Sequence, residues 1–233
     1  MPDPTYAALT WDAQGKRLYY TGVSNGVLFV YDSTLNSGAG GYKEGVAWNG
    51  LTAVTEKPTG AEATPLYADN IKYLNLISNE DFAATIEAYM YPDEFAECDG
   101  SAEIATGVYA GQQKRKTFAL SYMTKVGNDV DGDDHAYQIH IVYGCLAAPT
   151  EVAHNTIGDS PEAATMSWEI STTPINVTGK KPTAHIIIDS KRVNNDTKMG
   201  LLKAKLWGSS EANSSLPDIS WLITTFGAVQ VSG

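Results

Sequence analysis

Charge is scarce in this chain, and positive charge scarcer still. Only 18% of the residues are Asp, Glu, Lys or Arg, below the roughly 25% usual in globular domains. Lys and Arg number 16 against 27 acids, giving a net charge of −11. Phosphate affinity comes from clustered Lys and Arg, so this balance argues against nucleic-acid binding through a basic patch. The one basic run, Lys114-Arg115-Lys116, is expected to be solvated. Cysteine is nearly absent. Cys98 and Cys145 stand far apart without metal-like spacing, and are expected to be reduced, buried small hydrophobes. No stretch approaches 18 consecutive apolar residues, which excludes a membrane-spanning helix. The first residues lack the apolar region of a secretory signal, so the sequons at Asn176, Asn195 and Asn213 carry little weight.

What the chain does have is Gly (21), Tyr (13) and a 43% hydrophobic share spread over 233 residues. That length fits one β-rich domain, or one with an extra arm. It can bury roughly 70–75% of its unfolded surface, so the core needs no disulfide. Low charge with many Tyr and Gly suits a surface buried against copies of itself, because interfaces enrich Tyr and deplete charge. The plainer alternative is an ordinary β-sandwich with Tyr-rich strands.

Along the chain, "RLYYTGVSNGVLFVYD" (17–32) reads as two β-runs around Asn25-Gly26, a dipeptide suited to a tight hairpin turn. A Gly/Ser-rich loop follows at 33–45. Residues 49–70 read as a short strand and then a loop bearing Pro58, Gly60 and Pro65. Residues 78–91 fit two periods. Ser78 and Asp81 resemble a capping box, whereas Ala84, Ile86, Ala88 and Met90 alternate as a strand does, and strand is favoured. Pro92 opens a short helix, "PDEFAEC", with Gly100 as its stop. "TFALSYMTKV" and "AYQIHIVYG" alternate clearly and are joined by the acidic turn "GNDVDGDD". "ATMSWEIST" aligns Met166, Trp168 and Ile170 on one face, and "TAHIIIDS" reads as a strand buried on both faces. The period of "TKMGLLKAKLWG" is undecided. "SSLPDISWLITTFG" is helical if Pro217 lies in the first turn and Gly227 stops it. The expected fold is mainly β: a two-sheet β-sandwich with a flanking short helix and an N-terminal β-hairpin/loop extension. It divides into an assembly arm at 1–50, the sandwich at 51–190 and a C-terminal segment at 191–233, all within a single domain.

Chemistry is hard to place on this pattern. Gly22-Val23-Ser24-Asn25-Gly26 matches G-x-S-x-G, but that motif needs a strand-to-helix turn, and here it feeds a β-run. A calcium loop starting at Asp129 would need Gly where Asp134 stands and Glu where His140 stands. Asp93, Glu94, Glu97 and Asp99 sit on one short helix rather than across a cleft. His135, His140, His154 and His185 are scattered, and no Walker A loop or dinucleotide fingerprint is present. No catalytic, metal-binding or cofactor-binding residue is therefore nominated, and no enzymatic activity is expected.

The run at 17–32, then "GVAWNGLTAVTEKPTGAEATPLYADNIKYLNL" and "ATIEAYMYPDEFAECDGS", resembles the major tail (tail tube) protein family of long-tailed phages and prophages of Gram-positive bacteria. "GQQKRKTFALSYMTKVGND", "YQIHIVYG", "IGDSPEAATMSWEISTTPI" and "IIIDS" continue the likeness in the same order, over roughly residues 15–190. The resemblance implies a tail-tube β-sandwich and six subunits per ring, with rings stacked into a tube that conducts double-stranded DNA. It also implies partners in the tail tip, tape measure and tail terminator proteins. The site would be the virion tail, with synthesis in the bacterial host cytoplasm, no membrane and no sheath. It brings no catalytic residues.

Physical argument is consistent with such a ring. A β-lined channel passing duplex DNA needs more strands than the roughly 16–18 of a porin, beyond one short chain. Strand pairing between neighbours would also cover edges that otherwise aggregate. The region 15–50 is the expected assembly element, because a lone hairpin is marginal until it docks. Phe29, Tyr31, Tyr42 and Trp48 are its candidate self-assembly contacts. Two rivals remain: a monomeric β-sandwich binding module using exposed aromatics such as Trp11, Trp48 or Trp207, and a hydrolase using Ser24.

Overall fold

The computed structural model describes residues 9–157 and 163–227. The ends of the expected N-terminal arm (1–8) and C-terminal segment (228–233) lie outside them. In chain order the first strands are β1 (Tyr19–Asp32), β2 (Gly41–Tyr42), β3 (Val46–Trp48), β4 (Leu51–Glu56) and β5 (Thr59–Gly60). Next come β6 (Ala63–Ala68), β7 (Ile71–Ile77), β8 (Glu80–Asp81), β9 (Ala83–Ala88), β10 (Ala102–Ala105) and β11 (Val108–Ala110). The series ends with β12 (Phe118–Asn128), β13 (Gly132–Ala147), β14 (Met166–Thr172) and β15 (His185–Asp189), then helices α1 (Ser190–Val193), α2 (Asp196–Trp207) and α3 (Ile219–Phe226). Strand exceeds helix, about 45% to 14%, so the fold is mainly β.

The organising strand is β13. One edge pairs with β12, from Phe118↔Cys145 to Asn128↔Gly132. The other edge is divided: Gln138–Val142 pair with β15, and Cys145–Ala147 pair with β14. Between the two stretches stands Gly144 at φ +62, where a Cβ would lie 2.5 Å from the Thr173 carbonyl oxygen. Only glycine fits both conditions. The bulge there lets β14 leave the plane and carry β9 and β4 over the β1–β12–β13 layer, giving two facing layers of antiparallel strands. At the far side β3 pairs with β1 and β4 with β9, so the Asn49-Gly50 corner joins the layers a second time. The fold is a β-sandwich, as expected.

Alternation along β1 and β12 then supplies two cores. Leu28, Val30, Phe118, Leu120 and Tyr122 point into the sandwich, against Ile86, Trp168, Ile170, Trp48 and Phe95. Val27, Phe29 and Ala119 point the other way, with Ile139, Ile141 and Tyr143 of β13, under Met199, Leu202 and Leu206 of α2 and Leu222 of α3. The central layer is thus covered on both faces, by strands and by helices. The helices are capped by side chains: Asn195 accepts from the Lys198 amide, and Asp218 from the Trp221 amide. Buried Tyr143 donates to the Pro217 carbonyl at 2.8 Å, fixing the approach to α3. Gly227 ends that helix at φ +91, as the sequence predicts.

Several expectations are corrected. The chain does not reverse at Asn25-Gly26. β1 runs straight through and pairs with β12 from Tyr19↔Gly127 to Val30↔Phe118. Gly22 (φ 65) and Asn25 (φ 51) each lie within a register shift, so these residues make bulges rather than a hairpin turn. The region 1–50 is consequently not an arm outside a 51–190 sandwich, because β1 is a central strand of that sandwich. β15 is not buried on both faces, since Ile187 is half in solvent. The loop expected after residue 56 is a projecting hairpin: β5 pairs with β8 at its root, and β6 pairs with β7 from Ala63↔Ile77 to Ala68↔Ile71.

Candidate assembly surface

The projecting hairpin, residues 57–82, turns at Asp69-Asn70, both at positive φ (51 and 65). Two such residues in succession make the tight turn whose twist suits a two-residue hairpin. Every residue of β6 and β7 is exposed. Cross-strand register puts Leu66 opposite Leu74 on one face, and Ala63 opposite Ile77 on the other. Apolar side chains therefore occupy both faces, with Tyr67 and Tyr73 about 70% exposed near the tip. Neither long outer edge of this two-stranded sheet is paired among the described residues. A smaller hairpin, β10–β11, likewise exposes Ile104, Val108 and Tyr109. Soluble monomers rarely leave apolar groups so concentrated, and a lone two-stranded hairpin is marginal in water. Unpaired edges and exposed apolar groups of this kind are the chemistry that strand addition uses.

The four nominated contacts lie apart from this surface. Phe29 is wholly buried beneath the helices, and Trp48 is 3% exposed in the sandwich core. The Trp48 indole donates to the Met90 carbonyl at 3.0 Å, and its ring lies 4.7 Å from Phe95. Both residues are spent on the fold of their own chain, which corrects their assignment as contacts. Tyr31 and Tyr42 are half-buried and meet edge-on at 5.4 Å. The Tyr42 hydroxyl accepts from the Gly144 amide at 3.1 Å, and burial holds its pKa above the usual value. The aromatics of a binding platform do not converge either: Trp48 is buried, Trp207 packs beside the helices, and Trp11 is 80% exposed.

Other singled-out residues have structural partners. Ser24 lies within β1 opposite Met123, not at a strand-to-helix turn. In the acidic turn, Asn128 accepts the Val130 and Asp131 amides, Asp131 meets His135 at 2.8 Å, and Lys125 holds Asp133. Two acids after Pro92 pair with two of the three cations of the basic run: Arg115 with Asp99 at 3.1 Å and Lys116 with Glu97 at 2.6 Å. The hydrogen bond to Glu97 is the main reason the Lys116 pKa is raised. Asp99 also accepts from the Trp168 indole at 3.1 Å, tying this turn to the core. Cys98 and Cys145 are both free and buried in the sandwich core, and burial pushes the Cys98 thiol up to about 12. Two shallow clefts of about 400 and 310 Å³ share Gly45, Trp207 and Ser214, and neither is lined by histidine or cysteine. No helix among the described residues is long and apolar enough to cross a membrane.

Sequence reasoning missed the arm because Pro58, Gly60 and Pro65 read as loop. The available signal was the alternation of "IKYLNLI", where Ile71, Tyr73 and Ile77 recur at even spacing beyond an Asp-Asn turn. Compared with protein-family models and with curated proteins, the chain gave no match.

Proposed function

We propose that this chain is a structural subunit that assembles with copies of itself into hexameric rings, stacked as the tail tube through which double-stranded DNA passes. The observation that carries this reading is the arm at 57–82, apolar on both faces and, among the described residues, unpaired along both long edges. Adding strands from a neighbour would satisfy its backbone and cover its side chains together. The major tail protein resemblance supplies the ring and the conduit. In this role the chain performs no catalysis, and it meets tail tip, tape measure and terminator proteins in the virion tail. Pairing of Arg115 and Lys116 with acids suits transit, because a wall rich in free cations would retain the phosphates.

Light scattering and negative-stain electron microscopy of the purified chain test the proposal. Stacked rings are expected, and a monodisperse monomer at high concentration would overturn it. Assembled tubes should also bind duplex DNA weakly. Tight binding with a steep negative salt dependence would contradict a passive channel.

A further inference from the structure

Two of the four histidines meet at the root of the arm. β13 and β15 pair with Val142 opposite His185 and His140 opposite Ile187. Residues on the same face of adjacent strands become diagonal neighbours, so His140 and His185 stack with ring centroids 5.3 Å apart. Their facing nitrogens, Nδ1 of His140 and Nε2 of His185, are 3.0 Å apart. Glu56, the last residue of β4, brings Oε1 to 3.4 Å from the first and 3.8 Å from the second. We infer that Glu56, His140 and His185 form a binding site for a divalent transition-metal ion of the zinc type.

The triangle has the right size. Ligands about 2.1 Å from a tetrahedral zinc stand about 3.4 Å from one another, which matches the separations of 3.0, 3.4 and 3.8 Å. Two imidazoles with one carboxylate favour zinc over calcium or magnesium, which take oxygen ligands. Outer partners already orient two of the three. The Thr124 hydroxyl lies 3.0 Å from Nε2 of His140. Taking that contact as an Nε2–H donor leaves the Nδ1 lone pair free to ligate. The Tyr122 hydroxyl donates to Glu56 Oε1 at 2.9 Å. Such outer hydrogen bonds are what fix metal-ligating side chains. Both histidines are largely buried while the Glu56 side chain is 38% exposed, so the ion has a path in and a solvent-side position for water.

The location gives the ion a task. The chain leaves for the arm just after Glu56 and returns at Phe82, whose ring lies 4.4 Å from His185. A bound ion would tie the departing strand to β13 and β15, clasping the arm's root to the sandwich. This inference is independent of what the arm contacts.

Zinc binding to the purified full chain is the test, by isothermal titration and by metal analysis after dialysis. One zinc per chain is expected, and cobalt(II) should give the visible bands of a four-coordinate site. At free zinc 100 times Kd, the folded-to-unfolded ratio should rise about 100-fold. His140→Gln and His185→Gln should each abolish stoichiometric binding, and Tyr122→Phe should weaken it about 10-fold. His154→Gln should leave it unchanged. Should a histidine variant fail to fold, Glu56→Gln removes the most exposed ligand and should still weaken binding at least 10-fold. No saturable zinc binding to the wild-type chain would overturn the site and leave only a hydrogen bond between the two imidazoles. Binding that survives His140→Gln and His185→Gln together would overturn it equally.

Discussion

β1 and the arm are two apolar, aromatic stretches of similar composition with opposite fates. In β1, Val27 to Val30 are almost inaccessible. In the arm, Leu66, Tyr67, Ile71 and Tyr73 stand in solvent. The difference lies in neighbours rather than in residues. β1 has β12 along one edge, β2 and β3 along the other, the second strand layer over one face and helices over the other. Among the described residues the arm has only its own two strands. Burial of an apolar strand therefore depends on partners of matching length, and among the described residues the arm has none beyond its own two strands.

The largest effect should come from removing β1. Deleting residues 15–45 takes out all nine register pairs with β12 and both inward rows of that strand. The loss should exceed the ~5–15 kcal/mol that holds an ordinary domain together, leaving a chain without cooperative melting by circular dichroism. A folded remnant would mean that β1 is the dispensable arm after all. One step smaller, Phe29→Ala empties a fully buried site beneath α2 and should cost about 3–5 kcal/mol in urea unfolding. A cost below about 1 kcal/mol would show that the helices collapse onto the gap.

Acid should probe the seam between core and arm. Burial pushes His140 down to about 4, from 6.5 in the unfolded chain. Between these values the unfolded state binds the proton and the folded state does not, so stability rises with pH across that window. In metal-free buffer, acidification from pH 7 to pH 4 should remove on the order of 3 kcal/mol through this group. His140→Gln should flatten that part of the pH profile. An unchanged slope in the variant would assign the acid sensitivity elsewhere.

How much of this could be read from residues alone follows from the same comparison. β12 and β13 were legible because alternate residues enter two different cores, and β14 because its residues alternate between core and solvent, each of which imposes a period of two. The bend at Gly144 was not, since it answers to the Thr173 carbonyl, 29 positions away. Asn25-Gly26 suggested a turn because turns and bulges both use positive φ, and only the partner strand distinguishes them. Pro65 argued for a loop, yet an unpaired edge tolerates a residue without an N–H. α2 hid its period because Met199, Leu202 and Leu206 face inward while Leu201 faces out. The histidines looked scattered because His140 and His185 become neighbours only through β13–β15 pairing. The four proposed contacts were chosen for being aromatic, and two of them are aromatic for the sake of the core.

The smallest expected effect on the folded chain comes from the arm itself. Tyr73→Ser with Leu76→Ser removes two exposed side chains that belong to neither core. Surface changes of this kind usually shift stability by no more than about 0.5 kcal/mol each, so the urea midpoint should barely move. Assembly should respond very differently. If a neighbour covers these groups, truncating them removes apolar area from the contact at roughly 25 cal/mol per Å², and the loss repeats at every subunit interface of a ring. Light scattering should then report monomers at concentrations where the wild-type chain, on the proposed reading, assembles. A matched pair on β1's buried row, Leu28→Ala with Val30→Ala, should do the reverse and destabilise the chain itself. Tubes from the arm variant indistinguishable from wild type would mean that the arm faces solvent in the assembly, and the contact surface would have to be sought elsewhere, first at Ile104, Val108 and Tyr109.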